Sequence, residues 1–534
     1  MRYINSAQGQ TLYVPPSFCP STMSFASTFD SFSLRDITKL LTYLTSGVVL
    51  SLLLQSFSSA FRLRHIPTES SSCLPLLSSK GAYFFLRDIK GVFQRGYDKH
   101  KGKLFKVSFP DRWVVVVTGR KLLEELQRLP DGTTSFMHAA GELTGTPYIF
   151  GNGMVEDPWH VPIIRDKLTK HLSAAFPDIY DEIDTSFKEL MPKCEDWTPV
   201  HALQVARGVV ARASNRVFVG LPLCRNQGYL SLLVRFAVDV GRTRNVLAWF
   251  PSALKGIVAK MVTQVEPRIK EGMQYLGPVI QQRTDDAQAF GDGWAKPDDM
   301  LQWIMDAVAA RNGPHEDILR GIFLINFAAI HTSSNTFTHA LYHLAANPEF
   351  IGPLREEVDA VVAEDGWTKA AMGKLWKLDS FMRESLRHNS TNPFSVRRMA
   401  LKNFTFSDGT VIPQGTVVVT PPYATHFDEE NYQDAAVFNP WRHVNEKKQD
   451  GDASRHQFIT TSTTYVAWGH GKHACPGRFF AANELKIMMA YVIASYDVKF
   501  EREGVRPKNV HVALTISPDP EARVLFKERK SARI

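Results

Sequence analysis

Cysteine is scarce and scattered. Five residues (Cys19, Cys73, Cys194, Cys224 and Cys475) occur in 534, and none forms a CxxC pair. That spacing excludes a disulfide framework and a structural zinc site, and fits a catalytic domain in a reducing compartment. The chain also lacks internal repeats, long low-complexity tracts and dense Lys/Arg runs. Its formal charge of +8 is mild for this length. Nothing points to nucleic acid; so weak a positive balance suits an acidic protein partner or an anionic membrane surface.

One segment lacks charge altogether. Leu40 to Phe61 carries no charged residue over 22 positions, about the length that spans a bilayer core. Arg35 and Lys39 precede it; Arg62, Arg64 and His65 follow. A cleaved signal peptide would have a shorter apolar core nearer the N-terminus, so the segment reads as a transmembrane anchor. The organisation that follows is a Ser/Thr-rich, disordered leader over 1–39, the anchor over 40–61, a linker over 62–80 and a catalytic domain over 81–534. Met23 is an alternative start. Val246 to Pro251 is a second apolar stretch, read as core packing, with membrane contact as its alternative.

In the domain, a helix is expected over Ala82–His100, and strands over Leu104–Phe109 and Trp113–Thr118. A Gly/Thr-rich loop is expected over Asp131–Asp157, then mostly helix to Asn347. Short strands follow Arg387, and a helix spans about Phe479–Ser495. A strand pair is expected around Val510–Ile516 and Ala522–Phe526. The fold class is mainly α with a small β-rich lobe. Pro314 to Asn347 reads as one helix, about 50 Å at 1.5 Å per residue. Between Arg320 and Glu349 it has no Lys, Arg, Asp or Glu, so it lies buried on most sides. Its centre, Ala328-Ala329-Ile330-His331-Thr332-Ser333, is small and hydroxyl-rich. Small residues let a flat group approach, and the hydroxyls can bond preceding carbonyls.

The strongest chemical signal is Trp468-Gly469-His470-Gly471-Lys472-His473-Ala474-Cys475-Pro476-Gly477. A cysteine just before a helix meets backbone N–H groups and the positive end of the helix dipole, which favour the thiolate. Gly471 permits a tight turn, and Gly477 leaves room for a planar group. His473 stands where it can donate to a carboxylate on that group. Glu384 and Arg387 lie three apart on one helical face, and Phe438-Asn439-Pro440-Trp441-Arg442 supplies another arginine.

Together, in this order, these segments resemble the cytochrome P-450 family over about residues 66–528, especially fungal ent-kaurene-oxidase-like enzymes. Trp468 stands where Phe is usual, His443 likewise, and His331 replaces the usual acid. The resemblance implies the single-domain cytochrome P-450 fold, with haem b as cofactor and Cys475 as axial iron ligand. It implies a buried Glu384–Arg387–Arg442 network, and protons managed by Thr332 with His331 or Ser333. Arg397 or Arg398 would contact the haem propionates, with His160 and Arg165 as weaker candidates. The activity implied is monooxygenation of a lipophilic terpenoid or steroid-like metabolite, using O2 and NADPH-derived electrons from a flavoprotein reductase. The enzyme would sit in the endoplasmic reticulum membrane, facing the cytosol, so the sequons at Asn389 and Asn403 would stay unmodified. Two alternatives use the same residues: a reductase-independent isomerase, dehydratase or peroxygenase, and a non-catalytic haem or sterol binder. Retention of Thr332 and of the anchor argues against the first, and the intact motifs argue against the second.

Overall fold

The computed structural model describes residues 61–69 and 88–530, apart from 152, 251, 451–454 and 513–514, with scattered positions between 38 and 58. The chain falls into two units, 1–51 and 52–534. The leader and most of the expected anchor lie outside the described residues; the described positions within 40–61 are helical. Among the described residues no helix is long and apolar enough to cross a membrane.

The second unit is mainly helical. Its axis is the helix His315–Ala346, 32 residues long, matching the charge-free run. From Ser333 to Ala346 every residue is buried, as expected of a helix without a polar face. The helix Ala202–Phe218 packs along it. Behind these lie Thr169–Leu190, Trp376–His388 and Arg478–Ser495.

The β-rich lobe is a five-stranded sheet in the order Leu104–Ser108, Trp113–Val117, Val417–Thr420, Ser395–Ala400, Thr134–Ser135. Alternation decides its packing. Trp113, Val115 and Val117 face one core with Leu104 and Val418, while Val114 and Val116 face another with Phe105, Val417 and Val419. The start of the expected linker is docked here: Leu63 and Ile66 are buried, and Lys106 Nζ donates to their carbonyls at 2.6 and 2.8 Å.

Two expectations fail. Asp131–Asp157 is not a loop but contains three short helices, Phe136–Thr144, Thr146–Ile149 and Gly153–Glu156. Gly145, at φ 75, ends one and starts the next, so the glycines punctuate helices rather than abolish them. The C-terminal strands do not pair as expected either. Val510–Val512 forms a hairpin with Thr515–Ser517, whereas Val524–Glu528 pairs with Tyr496–Lys499 and Thr198–Val200. Adjacency in sequence suggested the wrong partner.

Candidate active site

The cysteine loop is held by its own backbone. Cys475 N–H donates to the Trp468 carbonyl at 2.7 Å, and Ala474 N–H to that of Gly471. Gly469 and Gly471 have φ of 76 and 72, the left-handed region that favours glycine, and a Cβ on Gly471 would also displace the Gln127 side chain, 2.1 Å away. The helix Arg478–Ser495 starts directly beyond, with Gly477 as its N-cap. A Cβ on Gly477 would meet only Ile164, at 3.6 Å. Burial pushes the Cys475 thiol up, while the N–H groups of Gly477 and Arg478 and the Arg478 charge pull it down. The sulfur thus has two fixed donors and no acidic neighbour, an environment built for a thiolate once a cation is bound to it. Trp468 is anchored through its indole N–H to the Phe458 carbonyl at 2.9 Å.

Cys194 and Cys224 are buried and free, and burial pushes both thiols up, so neither is a competing nucleophile.

The central helix opens at one place. Ala328 and Thr332, four residues apart on one face, are exposed, with Phe327, Ala329 and His331 half-buried beside them and Ile330 and Ser333 buried. This is the cradle a flat group would fill. Thr332 donates its hydroxyl to the Ala328 carbonyl at 2.7 Å, leaving its oxygen lone pairs free to accept from a molecule in the opening. Ser333 does not share that face. It is buried, because one residue along a helix turns the side chain about 100° away. His331 is mostly enclosed and has the Arg207 guanidinium as its charged neighbour. Burial and that charge push it down to about 4. Of the three expected relay residues, only Thr332 faces the opening.

Glu384 gathers the motifs into one buried group. Arg387 Nε and Nη2 donate to its two oxygens at 2.8 Å each, and Arg442 Nε adds a third bond at 3.2 Å. Asn439 N–H contributes another at 3.1 Å. Burial opposes ionisation, but these donors hold the carboxyl far below its usual range. His443 extends the group: its Nε2 lies 3.5 Å from Glu384 and its Nδ1 2.8 Å from Glu446. Three further residues, which no motif singled out, lock this group to the cysteine loop. His426 Nδ1 lies 3.0 Å from the Arg387 carbonyl, and its Nε2 accepts from Val466 N–H at 3.0 Å. Ser395 donates to the Val466 carbonyl at 2.6 Å. Arg383 holds the Gln457 and Thr460 carbonyls. Their partners are main-chain atoms from distant segments, so no spacing rule reveals them.

The consecutive arginines separate. Arg398 is 1% exposed, and its Nε and Nη2 have no partner. Its charge lowers the titration of both His470 and His473. An orphaned buried guanidinium beside the cysteine loop fits the propionates of a haem. His473 is already engaged: its Nε2 lies 2.8 Å from Asp131, and its ring stacks on Phe136. Only Nδ1 is left for another group, so the expected free donor has a competitor. Arg397 points elsewhere, over the Phe394 ring. The weaker candidates do not converge either. Arg165 is exposed and pairs with Asp166 at 3.1 Å, and His160 is buried against Trp159.

The cytochrome P-450 family profile matches residues 75–526. A cytochrome P-450 monooxygenase of Postia placenta, number 151, is 46% identical and aligned over 92% of this chain and 98% of its own length. A Ganoderma lucidum cytochrome P-450 monooxygenase is 33% identical over 88% of this chain and 92% of its own. Another from Emericella nidulans is 33% identical, covering 81% and 82%.

Proposed function

Since the chain belongs to the cytochrome P-450 family and is a haem-thiolate monooxygenase, we propose that it oxidises a lipophilic terpenoid or steroid-like metabolite at an unactivated C–H bond. Haem b, when bound, supplies the binding and activation of O2. The chain's own residues do the rest. Cys475 would provide the sulfur ligand; burial pushes its thiol up, and the Gly477 and Arg478 N–H groups with the Arg478 charge offset part of that in favour of the anion. Arg398, whose Nε and Nη2 are buried without partners, would pair with the haem propionates. Thr332, whose hydroxyl donates to the Ala328 carbonyl, would accept a hydrogen bond from a molecule in the opening and so hold a proton there. His331 is mostly enclosed and carries no charge near neutral pH.

Electrons come from NADPH through a flavoprotein reductase, for which the net charge of +8 favours an acidic docking face. The enzyme is anchored in the endoplasmic reticulum membrane through 40–61 and faces the cytosol. Exposed Tyr43, Val49, Leu50 and Leu54 in that segment support the anchor. Trp249, Ile257 and Met261 are exposed beyond the helix Gln227–Leu247 and support a second lipid contact; Leu247 itself is core.

The observation that carries this reading is the cysteine directly before the N-terminus of the helix Arg478–Ser495, in a loop fixed by its bond to the Trp468 carbonyl. Reconstitution tests the electron route. Turnover of a lipophilic substrate should require NADPH and reductase; turnover with peroxide alone, at the same rate, would favour the reductase-independent class.

A further inference from the structure

His443 stands where the family usually has Phe, and it does not stand alone. The helix Arg442–Asp450 sets His443 and Glu446 three residues apart on one face, and His456 comes back to the same point. Two imidazole nitrogens converge there on one carboxylate oxygen. His443 Nδ1 lies 2.8 Å from Glu446 Oε2, and His456 Nδ1 lies 3.2 Å from it. One ligand atom from each of the three residues falls within 4.8 Å of the other two. With bonds of about 2.0 Å, neighbouring ligand atoms of a tetrahedral site sit roughly 3.3 Å apart. The shorter pair must open by about half an ångström to match, and Glu446, the most exposed side chain of the three, can give that much.

The far side of His443 supplies an independent observation. The residue is 2% exposed, and its Nε2 faces Glu384 Oε2 at 3.5 Å. A neutral ring with its proton on Nδ1 for Glu446 would turn the Nε2 lone pair against that buried carboxylate. A cation on Nδ1 reverses the arrangement. The proton then sits on Nε2 and points at Glu384, the carboxylate–histidine–metal pattern that orients metal-binding imidazoles. An imidazolium joining the two carboxylates is the rival. Glu446 and His456 are only half-buried, so a cation can enter from solvent. Arg383 and Arg442 stand nearby and oppose it, but both are turned to main-chain carbonyls: Arg383 to Gln457 and Thr460, Arg442 to Gln433, Asp434 and Val437.

We propose that His443, Glu446 and His456 bind one zinc ion, with water as the fourth ligand. The site uses no cysteine, so the scattered cysteines, which exclude a thiolate zinc site, do not bear on it. Two imidazoles and one carboxylate are a ligand set that zinc accepts. Three protein ligands and the nearby guanidinium charges set the affinity at about 1 µM, weaker than a closed four-ligand site. The ion braces the segment that leads into the cysteine loop. That segment is already held by Arg383 at Gln457 and Thr460, and its Phe458 carbonyl receives the Trp468 indole N–H.

The test is equilibrium dialysis of the full-length haem protein against zinc, with bound metal measured by mass spectrometry. Wild type should take up one zinc per chain beyond the haem iron, and zinc should raise its thermal midpoint. His456→Ala and Glu446→Gln should each weaken uptake at least about 100-fold, beyond the range for losing an outer-shell partner, and remove the thermal shift while haem content stays unchanged. His443→Phe, which installs the family's usual residue, should abolish uptake as well. If that variant loses haem through its contact with Glu384, the other two carry the test alone. Zinc uptake that neither His456→Ala nor Glu446→Gln alters would overturn the site. No uptake by wild type at about 100 µM zinc, a hundred times the expected Kd, would also overturn it and leave His443 as an imidazolium between two carboxylates.

Discussion

His331 stands where the family usually has an acid, but its surroundings keep it neutral. Its folded-state pKa, about 4, lies below the ordinary 6.5, so between those values the unfolded chain binds more protons. Stability therefore rises with pH through that window and is lost as pH falls through it. His160, pushed down to about 4, and His426, to about 3, act in the same sense. Acid unfolding should set in below about pH 6, and His331→Gln should shift its midpoint to lower pH. A shuttle titrating near 6.5 would impose an inflection on coupling between pH 5 and 8. The expected coupling profile is flat there, in wild type and in His331→Gln; an inflection lost in the variant would restore the shuttle. Thr332→Ala should retain the haem spectrum and divert reducing equivalents into hydrogen peroxide. Ser333→Ala, on the buried side, should leave coupling unchanged. Fully coupled turnover in Thr332→Ala would remove Thr332 from proton delivery.

The helix Trp376–His388, whose Glu384 gathers Arg387 and Arg442, is tied to the cysteine loop through His426, which lies between the Arg387 carbonyl and Val466 N–H. Removing one partner of a buried, hydrogen-bonded ion pair typically costs about 3–5 kcal/mol, because the remaining charge stays enclosed. Arg387→Ala should consequently yield little haem-loaded protein, measured as haem per chain after purification, and normal loading would contradict the network. His426→Ala should lower loading less, since it removes hydrogen bonds to the Arg387 carbonyl, Val466 N–H and Ser390 but no charge. Glu384 with Arg387 was legible because residues three apart share a helical face, and the central helix because it has no charge. The split between Arg397 and Arg398 was not legible. It depends on a bulge and on φ 41 at Val396, which no periodicity predicts. Ser333 misled for a simpler reason: a run of hydroxyls reads as one cluster in sequence but spreads around the helix.

The whole chain was legible where chemistry is local and opaque where it depends on long-range packing. The cysteine loop, the helical content and the small β lobe followed from composition and motifs; the strand pairing of Val524–Glu528 required three segments far apart in sequence. The same distinction corrects the topology test. Asn389 is 5% exposed and bonds His343 and Arg506, so its sequon is silent in the folded protein. Asn403 is exposed and alone reports orientation: it should remain unglycosylated in a eukaryotic host, and a glycan there would reverse the cytosolic assignment. Deleting 1–61 should weaken membrane association without loss of haem, and adding Trp249→Asp and Met261→Asp should release the protein from vesicles. The most direct measurement of the central claim is the absorption spectrum of the ferrous carbon monoxide complex in wild type and Cys475→Ala. The wild-type protein should show the red-shifted Soret band of thiolate ligation and the variant should lack it; a Cys475→Ala protein that keeps the band would contradict the assignment of Cys475 as the iron's ligand.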